Sequence, residues 1–278
     1  MRRLLGLAAF LVVASAIVGA VVYANHHHVA QLFSADRDCS ATVGGRTVTL
    51  DRQQSRNATL ITAISIRRGL PAHAATIALA TAYQESKLYN LTSGDRDSIG
   101  LFQQRPSQGW GRPAQLRNPT YAANAFYDAL QKIDGYQTLR VTVAAQRVQR
   151  SGFPEAYAAH EADARVLASS LTGYSPAAFG CAVDAASGQP APAARRADGV
   201  RRALGAAFGP TSVRVARGQV LRIPVGSSER GWAVAAYLAV RADALQVGSV
   251  SYAGHTWSTG GDRSWRRGHG PAHTVVVR

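Results

Sequence analysis

The chain has 278 residues, 46% of them hydrophobic, which is enough to fold one large domain or two small ones and excludes disorder throughout. Its formal net charge of +15 comes almost entirely from arginine, because Lys87 and Lys132 are the only lysines. A charge of that sign favours acidic partners, such as anionic lipid headgroups or acidic cell-wall polymers. Only one long apolar run occurs in the sequence, which excludes a transporter with several membrane spans.

The N-terminal residues predict export. A basic start at residues 1–3 precedes an uncharged apolar run at residues 4–24, which as a helix at ~1.5 Å per residue spans roughly 30 Å, the thickness of a bilayer core. Positive charge before the run places the N-terminus in the cytoplasm and the rest of the chain outside. We therefore expect a single-pass anchor in the cell membrane, with a juxtamembrane linker at residues 25–38. A cleaved signal peptide is the alternative, and it would give a secreted protein.

The two cysteines agree with export. Cys39 and Cys181 are the only pair, and in an oxidising compartment such a pair usually forms a disulfide bond. We predict that this bond encloses a mainly α-helical domain at residues 39–181. The domain begins with an extended segment, CSATVGGRTVTL, that turns at two glycines. Helical patterns follow in NATLITAISIRRGL, PAHAATIALATAYQES, NPTYAANAFYDALQKI, VTVAAQRVQRSG and EAYAAHEADARVLASSL.

The remaining sequence changes character. Residues 182–198 are rich in Ala, Pro, Gly and Ser and predict a linker, and residues 199–278 alternate helical and strand patterns, which predicts a small α+β domain. Residues 195–278 hold 13 Arg against 4 acidic residues, so they contribute +9 of the net charge. Aromatic residues lie among the arginines, and together they indicate binding to an anionic wall polymer or a membrane surface. These aromatic residues are Trp232, Tyr237, Tyr252, Trp257 and Trp265, of which Trp232 and Tyr237 also fit a helix core.

The segment YQESKLYNLTSGDRDSIGLFQQ, at residues 83–104, holds the main candidate site. Glu85 lies near the C-terminal end of a predicted helix that begins at Pro71. Partial burial among small residues and the negative end of the helix dipole both disfavour an ionised carboxylate, which suits a general acid. The hydroxyl of Thr81, four residues earlier, is expected to hydrogen-bond the carboxylate and oppose part of this effect.

The amides at the end of this segment fit a sugar site. Gln103 and Gln104 are expected to hydrogen-bond sugar hydroxyls and N-acetyl groups, while the ring of Phe102 packs on a pyranose face. From spacing alone, a helix-end carboxylate followed by solvated amides is the competing interpretation.

Two motifs here resemble those of a known family. Glu85-Ser86, followed by Asp97-Ser98-Ile99-Gly100-Leu101-Phe102-Gln103-Gln104, is similar to the paired motifs of the lysozyme-like soluble lytic transglycosylases, and NPTYAANAFYDAL resembles the helix that follows them. The resemblance covers roughly residues 55–172. It implies a lysozyme-like domain that cleaves the β-1,4 bond between N-acetylmuramic acid and N-acetylglucosamine in peptidoglycan. By this analogy Glu85 is the catalytic acid/base, Ser98 and Gln103 line the glycan subsites, and no cofactor is needed.

The chain departs from the family further on. In place of an Ala-Tyr-Asn-Ala-Gly-like motif, residues 143–152 read VAAQRVQRSG. Gln146, Gln149 and Ser151 are expected to supply polar contacts instead, with Tyr157 nearby. This departure concerns the positioning of the substrate more than the acid itself.

The number of carboxylates near the motif bears on whether the enzyme is a hydrolase or a transglycosylase. A hydrolase needs a second catalytic carboxylate, and only Asp95 and Asp97 lie close to the motif, on a turn expected to face solvent. The preferred hypothesis uses Glu85 alone as acid and then base, which yields a 1,6-anhydro product. A muramidase that uses Asp95 or Asp97 is one alternative. The other is a non-catalytic scaffold that binds the cell wall.

The C-terminal segment carries a second resemblance. VGSVSYAGHTWSTGG is similar to strand-and-turn elements of non-catalytic relatives of the hedgehog/D,D-peptidase superfamily. The carboxylate ligand and the spacing of that superfamily's zinc site are missing around His255, His269 and His273, so no metal is predicted. Residues 26–28, three consecutive histidines, fit a solvated linker better than a metal site. Because the protein is exported, nucleic acid is not an expected partner.

Overall fold

The structure is a computed structural model that describes residues 38–153, 155–185 and 191–278. The predicted basic start at 1–3, the apolar run at 4–24 and nearly all of the linker at 25–38 lie outside these ranges. Within them, no helix has the length and apolar character needed to cross a membrane. Cys39–Arg278 forms one compact unit of mixed α/β structure with two sheets.

Helices make up most of the first half, as their sequence periodicity predicts. A capping box begins the first of them, because the Asp51 side chain accepts from the Gln54 N–H at 2.8 Å while the Gln54 side chain accepts from the Asp51 N–H at 3.0 Å. The helices are α1 (Arg52–Arg67), α2 (Ala72–Ser86), α3 (Pro113–Leu116), α4 (Pro119–Leu130), α5 (Val141–Gln149) and α6 (Glu161–Leu171). Short 3-10 turns lie at Pro106–Gln108 and Ala156–His160.

The first sheet joins the start of this unit to its end. Its strands are β1 (Cys39–Val43), β2 (Arg46–Leu50) and β3 (Phe179–Cys181), in the order β2-β1-β3. The β1–β2 hairpin turns at Gly44 and Gly45, whose φ values of 58° and 78° favour glycine. Cys39 lies opposite Cys181 in the register, and the two form the predicted disulfide bond.

The second half alternates helices and strands, as predicted for an α+β segment. Its elements are α7 (Ala193–Phe208), β4 (Arg214–Ala216), β5 (Val220–Pro224), α8 (Ser228–Val240), α9 (Ala242–Leu245), β6 (Ser249–Tyr252), β7 (His255–Ser258), β8 (Arg266–Arg267) and β9 (Thr274–Val277). The strands form one antiparallel sheet in the order β4-β5-β9-β6-β7-β8. The linker interpretation fails for residues 193–198, because α7 begins at Ala193 and buries an apolar face there.

The segments expected as separate domains, 39–181 and 199–278, share one hydrophobic core. Helix α1 packs against both α7 and α8. Next to this contact, the Arg241 guanidinium lies 3.6 Å from the centroid of the Tyr237 ring and donates to the Thr59 hydroxyl and the Arg56 carbonyl. Burial lowers the pKa of Arg241 to about 10, so it stays charged at neutral pH.

Helix α2 is the element that positions the candidate site. It packs against α1, α5 and α6, and the small residues along it, such as Ala75, Ala78 and Ala82, allow these neighbours to approach closely. Its middle turns, from Ala74 to Ala82, are buried, and its last turn, which carries Glu85, returns to the surface.

Candidate active site

The end of α2 fixes the backbone of Glu85. The helix stops because Lys87 and Leu88 adopt left-handed conformations, with φ of 52° and 65°. The Ser86 hydroxyl lies 2.7 Å from the Leu101 carbonyl oxygen, which ties the helix end to the Ser98–Gln104 turn. Ser86 therefore holds the two halves of the sequence motif together, a role that its sequence position alone did not reveal.

Tyr157 positions the Glu85 side chain. Its hydroxyl donates to Glu85 Oε1 at 2.7 Å, and its side chain is fully buried in the 3-10 turn at Ala156–His160. Burial, followed by the charge of Glu85, raises the pKa of Tyr157 well above its usual value, so the phenol remains a donor. The expected bond from Thr81 to Glu85 does not form, because that hydroxyl donates to the Ile77 carbonyl at 2.7 Å within its own helix.

Glu85 borders a mostly polar cavity of about 540 Å³. Six of the residues predicted for the site line it: Glu85, Ser98, Gln103, Gln104, Gln149 and Ser151. The other lining residues are Asp95, Arg96, Arg105, Gln108, Trp110, Arg150 and Gly152. Tyr157 lies behind Glu85, whereas Phe102 and Gln146 do not line the cavity. The fold thus brings together residues from positions 85 to 152 around one carboxylate.

The Ser98–Gln104 turn has a tightly constrained backbone. Ile99 and Gln104 exchange backbone hydrogen bonds of 3.0 and 3.1 Å across it. Gly100 at its tip has φ 80°, and a Cβ there would lie 2.4 Å from the Leu116 carbonyl oxygen, so a larger residue does not fit. The Gln103 side chain folds back over this tip, with Nε2 3.1 Å from the Gly100 carbonyl oxygen. The turn therefore presents its polar groups in fixed positions.

The prediction that the Phe102 ring packs on a sugar is wrong. Phe102 is 0% exposed and stacks on Phe126, with ring centroids 4.6 Å apart. Periodicity did not reveal which member of the apolar pair at 101–102 would be buried, and both are. The aromatic residue that lines the cavity is Trp110, which sequence reasoning missed. The only signal for it was an isolated Trp within the turn-rich stretch QGWGRP.

The other three glutamines of the predicted site are, like Gln103, anchored by their amide nitrogens. Gln104 donates to the Ala122 carbonyl at 3.2 Å, Gln149 to the Phe102 carbonyl at 2.8 Å, and Gln146 to the Ser151 carbonyl at 2.7 Å. Among the described residues, none supplies a hydrogen bond to their buried side-chain oxygens. Buried polar atoms are usually paired, so the unpaired oxygens of Gln104 and Gln149, two residues that line the cavity, are exceptions to this rule. Gln146 instead supports the backbone at Ser151.

The two aspartates of the turn differ. Asp97 accepts from Arg105 Nε and from the Ser107 N–H, both at 2.8 Å, and these bonds hold its pKa well below its usual range. It is therefore fixed as the partner of Arg105 and does not line the cavity. Asp95 does line the cavity, with its side chain largely in solvent. Among the described residues that line the cavity, Asp95 is thus the one carboxylate besides Glu85.

The C-terminal aromatic residues lie inside the fold. Trp232, Tyr237, Tyr252 and Trp257 are at most 4% exposed, which confirms the core interpretation for the first two. Trp257 donates to the Cys181 carbonyl at 2.8 Å, and the partly buried Trp265 to the Phe179 carbonyl at 2.7 Å. The prediction that these aromatic residues join the arginines in binding an anionic partner is therefore wrong for the buried rings. In the described ranges, no group of three or more His, Cys, Asp or Glu side chains is placed to bind a metal ion.

Comparison with known proteins adds no assignment: no protein-family model matches the chain, and no curated protein matches it.

Proposed function

We propose that the protein is a peptidoglycan lytic transglycosylase that cleaves the β-1,4 bond between N-acetylmuramic acid and N-acetylglucosamine. The observation that carries this proposal is the placement of Glu85, a carboxylate at the edge of a polar cavity whose Oε1 is held by the buried Tyr157 hydroxyl. Fixed geometry at a solvent-accessible carboxylate is what general acid–base catalysis requires. The motif resemblance at residues 85–86 and 97–104 supports the same reaction and a lysozyme-like helical domain.

In the proposed reaction Glu85 acts twice. It first protonates the leaving glycosidic oxygen, and the N-acetyl group of the substrate stabilises the cationic centre that develops. The ionised Glu85 then takes the proton from the C6 hydroxyl of the muramic residue, whose oxygen closes the 1,6-anhydro ring. One carboxylate is sufficient for both steps, and the engagement of Asp97 with Arg105 and Ser107 supports a mechanism without a hydrolytic pair.

The other cavity residues fit substrate binding. Gln104 and Gln149 line the cavity, and a rotation of either side chain that exposed its buried, unpaired oxygen would let it accept from sugar hydroxyls and N-acetyl N–H groups. Ser98 and Gln103 supply further polar contacts on the same wall, and Trp110 offers a face for a pyranose ring. Together they replace the contacts of the family motif that the chain lacks at 143–152.

An exported location accompanies this proposal. A disulfide bond between Cys39 and Cys181 fits an oxidising compartment, and the apolar run at residues 4–24 would anchor the protein in the cell membrane. The C-terminal arginines would then face the anionic wall polymer or the membrane surface, with their charges alone rather than with aromatic rings.

Digestion of purified peptidoglycan by the full chain tests the proposal, with Glu85→Gln as the matched variant and mass spectrometry of the products. Anhydro ends from the wild type, and none from the variant, would support the transglycosylase. Hydrated reducing ends would instead assign a muramidase, with Asp95 as its second carboxylate. If neither protein released fragments while both bound the purified wall, the protein would be a non-catalytic scaffold.

A further inference from the structure

The turn that follows Glu85 has a strained backbone. Lys87 and Leu88 are two consecutive residues with φ values of 52° and 65°, a region that residues other than glycine rarely adopt. Helices often end on a glycine in this conformation, but α2 ends without one. Such a backbone persists only where the surrounding structure holds it. The contacts of Lys87 and Leu88 therefore bear on how Glu85 is placed.

Strain of this kind is concentrated around the candidate site. In the described ranges, nine residues other than glycine have a positive φ, and five of them belong to this region. Two lie within three residues of Glu85 in the chain and three line its cavity: Lys87, Leu88, Arg96, Gln103 and Arg150. An unfavourable backbone that recurs around one cavity indicates that the fold is built to place these residues.

Two side-chain amides of α1 hold the strained turn. Gln54 donates from Nε2 to the Lys87 carbonyl at 2.9 Å, and Asn57 donates from Nδ2 to the Leu88 carbonyl at 2.7 Å. Among the described residues, no backbone N–H is bonded to either carbonyl. Asn57 and Leu88 are both buried, so loss of the Asn57 donor would leave the Leu88 carbonyl without a partner and away from water.

The start of α1 fixes these contacts further. Gln54 Oε1 accepts from the Asp51 N–H, so both ends of the Gln54 amide are engaged. The Asp51 carboxylate accepts from the Gln54 N–H with one oxygen and from the Tyr89 hydroxyl with the other. Because Tyr89 follows the strained pair directly, the start of α1 contacts three consecutive residues after α2.

The C-terminal half anchors this end of α1. Arg241 donates to the Arg56 carbonyl at 2.6 Å and to the Thr59 hydroxyl at 2.8 Å. Asp243 forms an ion pair with Arg56 at 2.8 Å. These contacts lie on the same first turns of α1 as the two amides. The C-terminal half thus supports the surface against which the end of α2 rests.

We infer that Asn57 and Gln54 are positioning residues for Glu85. They hold the turn that ends α2, so that the Glu85 carboxylate stays within reach of the Tyr157 hydroxyl. The inference rests on the proposed function in one respect, namely that Glu85 is the catalytic acid/base. Neither amide lines the cavity, so both act on the rate of the reaction and not on the binding of the glycan.

Two variants of the full chain test the inference. Asn57→Leu keeps the approximate size of the side chain and removes the donor. Gln54→Met does the same at a half-buried position, which tolerates substitution more easily. Thr62→Val is the matched control, because the buried Thr62 hydroxyl donates to the Ala58 carbonyl within α1 and does not contact the turn.

The first readout is hydrogen exchange, which does not depend on activity. The N–H groups of Lys87 and Leu88 donate to carbonyls of the last turns of α2, so their exchange reports on the end of that helix. We expect both N–H groups to exchange about tenfold faster in the two test variants, because each variant loses one hydrogen bond that holds the turn. The control should exchange at the wild-type rate.

The second readout is the cleavage of soluble glycan strands. We expect kcat to fall about tenfold in both test variants while KM stays within about twofold of the wild type. Misplacement of Glu85 slows the reaction, whereas the walls of the cavity are unchanged. The control should keep both constants.

Three results would overturn the inference. Unchanged exchange would show that the amides do not hold the turn, and faster exchange with an unchanged kcat would show that the turn does not position Glu85. The third result is an equal loss of kcat in the control. A wild type that cleaves no glycan would instead remove the proposed function, and exchange would still decide whether α1 holds the turn.

Discussion

The sequence suggested binding surfaces in two regions of this chain, and the structure confirms a cavity in one of them and places the aromatic residues of the other inside the fold. The C-terminal segment mixes tryptophans with arginines, yet its indole N–H groups at Trp257 and Trp265 donate to the carbonyls of Cys181 and Phe179. In the groove beside Glu85, the buried side-chain oxygens of Gln104 and Gln149 find no donor among the described residues. The C-terminal tryptophans, with their N–H groups paired, therefore serve the packing of the fold, whereas the residues around Glu85 line a cavity and keep unpaired polar atoms.

Removal of the disulfide bond is expected to change the stability of the protein most. Cys39 and Cys181 are 142 positions apart, so replacing both by serine should lower the free energy of unfolding by about 4–5 kcal/mol through the entropy of the unfolded chain. Strand β3, which receives both indole bonds, loses its covalent tie to β1. Denaturant unfolding measures the change, and equal stability of the variant and the wild type would contradict it.

A pair of tryptophans tests the contrast directly. Trp257→Ala removes a fully buried ring and its hydrogen bond, so it should lower the free energy of unfolding by about 3–5 kcal/mol while the folded protein keeps its glycan affinity. Trp110→Ala should weaken glycan binding about tenfold and cost much less stability, because its ring is partly exposed at the cavity. Thermal unfolding and calorimetric titration supply the two readouts. The reverse pattern would break the comparison.

Alkaline pH should destabilise the helical region. Burial raises the pKa of Tyr127 and Tyr157 well above the value of about 10 expected in the unfolded chain. Above pH 10 the unfolded state therefore releases protons that the folded state keeps, and stability falls by up to about 1.4 kcal/mol per pH unit for each such tyrosine. Denaturant unfolding between pH 9 and about 11 measures this slope. A stability that stays flat across the range would contradict the assigned burial.

The smallest effect concerns the bond that holds Glu85. Tyr157→Phe should reduce the rate of glycan cleavage about tenfold and the free energy of unfolding by about 1 kcal/mol, because one hydrogen bond to the carboxylate is lost. The raised pKa keeps the phenol protonated, so the loss of rate should be equal at pH 6 and pH 9. Tyr83→Phe, two residues before Glu85 on helix α2, is the matched control. Equal losses in both variants would remove the special role of Tyr157.

Local patterns predicted much of this fold. The longer helices of residues 52–171, the glycine turn at 44–45 and the C-terminal strands β4, β5, β6 and β9 follow from periodicity and turn residues. Periodicity missed β3, β7 and β8, because β3 has three buried residues in a row, β7 buries only Trp257 and β8 consists of two exposed arginines, so none of them shows a clear alternation. The helix start at Ala193 was missed because Ala and Pro also compose linkers, and only packing against the rest of the fold decides between the two.

The candidate site was predicted in part for the same reason. Glu85 and the turn at 98–104 are close in sequence, so their motif is readable. The contact from Tyr157 spans 72 positions, and its pairing with Glu85 depends on how α2 and α6 pack. Phe102 is buried where a sugar-stacking ring was expected, and Trp110, for which nothing was predicted, lines the cavity, because burial of an aromatic ring is set by neighbours that are distant in sequence.

The most direct test of the central claim compares two carboxylates in the same cavity. Release of soluble muropeptides from purified peptidoglycan is measured for the wild type, Glu85→Gln and Asp95→Asn, with folding of each checked by circular dichroism. If Glu85 is the single acid/base, Glu85→Gln should lower the rate by about 10²–10⁴-fold and Asp95→Asn by less than about threefold. A Glu85→Gln variant that cleaves at the wild-type rate, or an equal loss in Asp95→Asn, would contradict it.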